Sequence, residues 1–183
     1  MNKKSGFTLL EILIVIAIIA ILATIVLIAI DPAKRFREAN NASRQAHIAS
    51  IADAIGLRIV DERGTFFKAP STTNKCSTNL PTHPTEPGIG DWPQDLANAK
   101  FIGSSAGEYD LAKCLTTKYL GSIPADPKGK DGGCTDPYWK DGSDYKACYR
   151  IYQDSATKLI TIMAPNTERE AGATEPADFF VAR

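Results

Sequence analysis

The stretch Gly6-Phe7-Thr8-Leu9-Leu10-Glu11, followed by the apolar run Ile12 to Ile30, decides the architecture of this chain. A short leader with Lys3 and Lys4 precedes the glycine, and Asp31 follows the run. The run holds 19 residues, with Thr24 its one polar member. About 20 apolar residues cross a bilayer as a helix. A secretory signal has a shorter apolar core with a small-residue cleavage site behind it, which this run does not match. A plain anchor accounts for the hydrophobicity but leaves Gly6 and Glu11 unexplained. A carboxylate at the edge of a membrane segment is costly and marks a functional position by default.

These residues resemble the N-terminal signature of type IV pilins and of the pilin-like subunits of type II secretion systems. The resemblance covers about residues 1–31, with basic leader, Gly6, Phe7, Thr8-Leu9, Glu11 and apolar run in register. It implies that prepilin peptidase cuts between Gly6 and Phe7 and methylates the new amine of Phe7. It also implies that Glu11 neutralises the terminal amine of a neighbouring subunit during assembly. On a helix, Phe7 and Glu11 would share a face. Implied partners are the peptidase, like subunits in a helical filament, inner-membrane assembly machinery, and membrane lipid before assembly. Many pilins carry a proline inside the equivalent run, whereas here Pro32 is the first proline.

Length and composition agree with one membrane helix and one modest domain. The chain has 183 residues, and Lys plus Arg equals Asp plus Glu at 21 each. That balance argues against a large basic nucleic-acid surface. Cutting after Gly6 removes two lysines, so 19 minus 21 leaves about −2. Lysines before the run and Asp31 after it predict a cytoplasmic N-terminus and an extracytoplasmic head. The expected parts are a leader at 1–6, a transmembrane and filament-core helix at 7–30, an amphipathic continuation at 31–63, and a globular head at 64–183.

Pro32 interrupts backbone hydrogen bonding, and Asp31 is placed to cap a helix restarting there. Beyond it, Phe36, Ala39, Ala42, Ala46, Ile48, Ile51, Ile55 and Ile59 recur at helical spacing and predict a docking face. Gly64 is a plausible stop. A nearly continuous helix from Phe7 to Glu62 would be roughly 80 Å long. Residues 65–107, rich in Thr, Ser, Pro and Gly, read as loop, with a short helix over Gln94–Lys100. A clearer helix is expected over Glu108–Tyr119. The linker Tyr119 to Pro127 again resembles pilin-like proteins. Strands are predicted around Tyr145–Tyr152, Thr157–Met163 and Phe179–Ala182, with a turn at Gln153–Ala156. The expected fold is α+β and pilin-like: a long N-terminal helix with a head built on a small antiparallel sheet.

Cys76, Cys114, Cys134 and Cys148 all follow the membrane segment, and none forms a tight metal-type pair. We favour disulfides Cys134–Cys148 and Cys76–Cys114 among three possible pairings. Asp126, Asp131, Asp136, Asp141 and Asp144 crowd a Gly-rich stretch. Oxygen-rich loops suit calcium, but the intervening lysines oppose a cation, so solvated turns are expected. No cofactor and no metal are anticipated. His47 and His83 belong to no visible catalytic set, and no phosphate-binding glycine loop is present. The chain therefore reads as a structural prepilin, not an enzyme, with a pseudopilin of a type II secretion or DNA-uptake system as the alternative.

Overall fold

The computed structural model describes residues 6–64, 66, 80–83, 99–116, 118–129, 134–155, 157–165 and 179–182. Helix α1 spans Leu9–Ile30 and helix α2 spans Pro32–Asp61. They are not continuous. Asp31 adopts the left-handed conformation, with φ 41° and ψ 77°. Its side chain accepts from the Lys34 backbone N–H at 3.2 Å, and Pro32 takes the first helical position. Proline has no N–H to continue the α1 ladder, and its ring is pre-organised for a helix start. The restart expected at Asp31-Pro32 is thus present, and the N-terminal apolar helix passes into α2 through one left-handed residue. Helix α2 ends where Gly64, at φ 91°, donates its N–H back to the Ile59 carbonyl at 2.8 Å.

The docking face of α2 begins later than the sequence pattern implies. Ile48, Ile51, Ala52 and Ile55 are buried and Ile59 packs against the core. Phe36, Ala39, Ala42 and Ala46 are exposed. They precede or turn away from the head, whose contacts with α2 start near Asn41. Helical spacing alone does not say how far along the helix a domain covers it.

Among the described residues, six strands form one sheet: β1 (Thr82–His83), β2 (Lys100–Gly103), β3 (Tyr138–Asp141), β4 (Asp144–Asp154), β5 (Ile160–Ala164) and β6 (Phe179–Ala182). Strand β4 is the spine. Lys146 pairs with both Gly103 and Tyr138, so β2 and β3 lie on opposite edges of β4. Ile151 likewise pairs with Lys100 and Ile162, which sets β5 beside β3's edge. The ladders β2–β4, β3–β4, β4–β5 and β5–β6 are antiparallel, and the short β1 adds in parallel. Helix α2 lies against β5 and β6. The α+β arrangement of an N-terminal helix and a small antiparallel sheet is as expected.

Details differ. Strand β5 starts at Ile160 rather than Thr157, because Asp154 first caps a turn through the Thr157 N–H at 2.6 Å. The helix expected over Glu108–Tyr119 shrinks to α3, Ala112–Leu115. Before it, Tyr109 is held in extended pairing, donating to the Phe101 carbonyl at 2.7 Å. Lys100 opens β2, and residues 94–98 of the other expected helix lie outside the described residues.

Two buried arginines tie α2 to the head. Arg44 is 1% exposed. Its Nε and Nη2 donate to the two carboxylate oxygens of Asp126 at 2.7 and 3.1 Å, and Nη1 donates to Asn41 Oδ1 at 2.9 Å. Asp126 also accepts from the Lys128 and Gly129 N–H groups at 2.9 and 2.8 Å. Burial pushes its carboxyl up, but Arg44 and those two N–H groups outweigh this and hold it below the usual range. Arg58 donates to the carbonyls of Phe66 and Cys114. Beside the Arg44 pair, His47 Nδ1 and the Tyr149 hydroxyl share a 2.8 Å hydrogen bond.

Candidate processing and assembly segment

The N-terminal segment is organised by Thr8. Thr-x-x-Glu before an apolar run is a capping-box signature, and the structure forms it. Thr8 sits in the extended region at φ −77°, ψ 151°, and accepts from the Glu11 N–H at 3.2 Å. Glu11 reaches back, with Oε2 accepting from the Thr8 N–H at 2.8 Å and from the Thr8 hydroxyl at 3.0 Å. Two otherwise orphaned helix-terminal N–H groups are satisfied reciprocally, and a carboxylate in the first turn complements the helix dipole. Sequence reasoning gave Glu11 only an intermolecular role. The capping partner Thr8 was visible in the same six residues.

This cap corrects one expectation. The helix starts at Leu9, so Phe7 precedes it and shares no helical face with Glu11. Gly6 and Phe7 lie outside the helix, and Phe7 is 85% exposed. A Cβ built on Gly6 would meet nothing within 4 Å. Nothing among the described residues crowds that position.

Helix α1 is exposed along its membrane-length window, Leu9–Val26. Its 22 residues correspond to about 33 Å, enough for a hydrocarbon core of about 30 Å. The one hydroxyl, Thr24, donates to the Ala20 carbonyl at 2.9 Å, so it presents no unpaired donor. A helix apolar on every side has no soluble face and needs lipid or other helices around it.

The remaining candidate residues lie on α2 and in the head, away from this segment in sequence. Cys134 and Cys148 form a disulfide, with Cα atoms 5.5 Å apart. Cys114 is also disulfide-bonded, and Cys76 lies outside the described residues. The acidic stretch is dispersed into local structure. Asp126 is a buried ion-pair partner, not the solvated turn expected of it. Asp141 accepts from the Ser143 N–H at 2.8 Å, and Asp144 from Lys140 Nζ at 2.9 Å. Asp136 is exposed, Asp131 lies outside the described residues, and no group of three metal-ligating side chains occurs among the described residues. His83 lies in β1, and His47 is a half-buried helix residue.

No curated protein and no solved structure matches the chain. The comparison that does succeed falls on the segment just built: residues 1–27 match the family described as the prokaryotic N-terminal methylation motif, the signature of type IV pilins and pseudopilins.

Proposed function

We propose that this chain is a prepilin, a structural subunit of a bacterial type IV pilus-like filament. Prepilin peptidase cuts it between Gly6 and Phe7 and methylates the Phe7 amine. Helix α1 stores the precursor in the membrane, the N-terminus facing the cytoplasm and the head outside. Inner-membrane machinery then draws α1 out, and subunits polymerise through it. The observation that carries this reading is the methylation motif placed on an exposed, non-helical Gly6-Phe7 directly before an all-round apolar helix.

Glu11 is the assembly residue on this reading. Among the described residues its carboxylate is held by Thr8. A terminal amine from a neighbouring subunit brings a full positive charge into a low-dielectric helix bundle, where opposite charges attract strongly and an unpaired one is penalised. The open space around Gly6 suits close approach of a peptidase backbone.

Mass spectrometry of the assembled or surface fraction tests the proposal. The mature chain begins with N-methylated Phe7. An intact Met1 in that fraction refutes the processing step. Imaging of the filament separates a surface pilus from the short pseudopilus of a secretion or DNA-uptake system.

A further inference from the structure

Beyond α1 the chain reads Lys34-Arg35-Phe36-Arg37-Glu38. Three cations and an aromatic occupy four consecutive positions at the start of α2, where the helix dipole disfavours positive charge. The Lys34 and Arg35 side chains are 52% and 71% exposed, Phe36 is 72% exposed, and Arg37 is half-buried. Glu38 approaches Lys34 at 3.7 Å and Arg35 at 3.2 Å. Such exposed pairs are weak and easily exchanged. From Asp31 to Glu38 there are three positive and two negative side chains, a net of +1.

Position identifies the partner. A bilayer of about 40–45 Å with a hydrocarbon core of about 30 Å leaves a headgroup layer of roughly 5–8 Å on each side. Lys34 to Arg37 lie four to seven residues past Ile30, at most about 6–10 Å along a helix axis. A bend at Asp31 only brings them nearer, so they meet the headgroup layer at any angle between the helices. Consecutive helical residues point about 100° apart, so these four side chains ring α2 rather than share a face. A protein partner docking on one side reads residues three and four apart. A ring suits a medium that surrounds the helix. Phosphates take the cations, the Lys and Arg stems lie along apolar surface, and the Phe36 ring enters the interface.

We propose that Lys34, Arg35, Phe36 and Arg37 form a girdle that binds anionic phospholipid headgroups in the leaflet facing the head and sets the depth at which α1 is stored. The inference rests on the reading of α1 as a membrane-crossing helix. It has a consequence for orientation. Lys3 and Lys4 stand on one side of the span and three cations on the other, so the Lys and Arg balance does not by itself orient the chain. It also makes release of the girdle from phosphate a step in extraction.

The full chain carrying Phe36→Trp, reconstituted in phosphatidylcholine vesicles, tests this. A small fraction of brominated phosphatidylglycerol is compared with the same fraction of brominated phosphatidylcholine as fluorescence quencher. The parent chain supplies the background from Trp92 and Trp139. The expected result is a local enrichment of the anionic lipid of about fivefold for the net charge of one. It collapses in high salt and in the Lys34→Gln/Arg35→Gln/Arg37→Gln variant. Equal quenching by the two lipids overturns the proposal. Shielding from both lipids, with cross-linking to a second copy, overturns it in favour of a subunit contact. Flotation after alkaline carbonate separates the two readings. A chain that leaves the vesicles sinks the membrane-crossing helix and the girdle together. A chain that stays but shows no lipid preference sinks the girdle alone.

Discussion

Arg44→Met should destabilise the head by about 3–5 kcal/mol at neutral pH, because it strands a buried carboxylate. Both side chains of the pair are essentially inaccessible, at 1% and 0% exposure. The guanidinium supplies two of the four hydrogen bonds described to Asp126, and the Lys128 and Gly129 N–H groups supply the others. Methionine fills much of the stem volume but gives no charge. The expected loss is a large share of the roughly 5–15 kcal/mol that holds a domain together.

The pH dependence supplies the sharper test. In the parent chain the Asp126 carboxyl is depressed, so its stabilisation is present above the unfolded pKa and is lost as pH falls through the folded one. Without Arg44, burial dominates and the carboxyl pKa rises. Protonation then removes the stranded charge, so the gap between Arg44→Met and the parent narrows as pH falls from 7 toward 4. Adding Asp126→Asn restores part of the loss at pH 7, since the amide oxygen still accepts from the turn while the charge is gone. Urea unfolding of the full chain in detergent, followed by near-ultraviolet circular dichroism, measures all three. A cost below about 1 kcal/mol, within the range of an exposed pair, refutes the reasoning, as does a gap that stays constant with pH.

Three further outcomes check the head. Ile51→Ala, at a fully buried α2 position, costs about 2–5 kcal/mol in the same assay, while Ala42→Ser on the exposed side changes stability by no more than about 0.5 kcal/mol. Burial is the main cause of the lowered His47 pKa, with the Asp126 charge opposing it. The unfolded chain therefore binds the extra proton, stability falls as pH drops below about 6.5, and His47→Gln removes that part of the slope in a series of melting temperatures. Cys134→Ser with Cys148→Ser lowers stability by about 2–4 kcal/mol, read from the urea midpoint against the oxidised parent.

What was legible in the sequence was what local pattern encodes. The apolar run, the Asp31-Pro32 restart and the β-rich stretch around Tyr145 each follow from neighbours a few residues apart. Tyr145, Ala147, Tyr149 and Ile151 are buried, as their alternation implies. Cys148 and Tyr152, which that alternation places on the other face, are buried too; Cys148 adopts φ 62° and bonds to Cys134. The Arg44–Asp126 pair was not legible. Its members are 82 residues apart. An arginine on a polar helix and an aspartate in a Pro-rich linker each look solvated, and buried charge is rare without a partner. The same limit explains Phe36 and Ala42: periodicity marks a face, but only the head's position decides which part of that face is covered.

Glu11 links these levels. On the proposed reading it must be harmless while stored and reactive during assembly, and the capping box meets both demands. In the single chain the Thr8 N–H and hydroxyl occupy the carboxylate, so a charge near the membrane edge is not left bare. Those donors are neutral and local, and a hydrogen bond to a charged group contributes about 1.5–3 kcal/mol at most. A terminal ammonium from a neighbour offers a charged donor in a site from which water is excluded, where opposite charges interact more strongly. Assembly is then an exchange of partners at one carboxylate. It also needs the neighbour's amine to exist, which requires the cut before Phe7. An uncut neighbour presents a peptide group there, so a Glu11 facing it stays with Thr8, and on this reading processing becomes the step that commits a stored subunit to the filament.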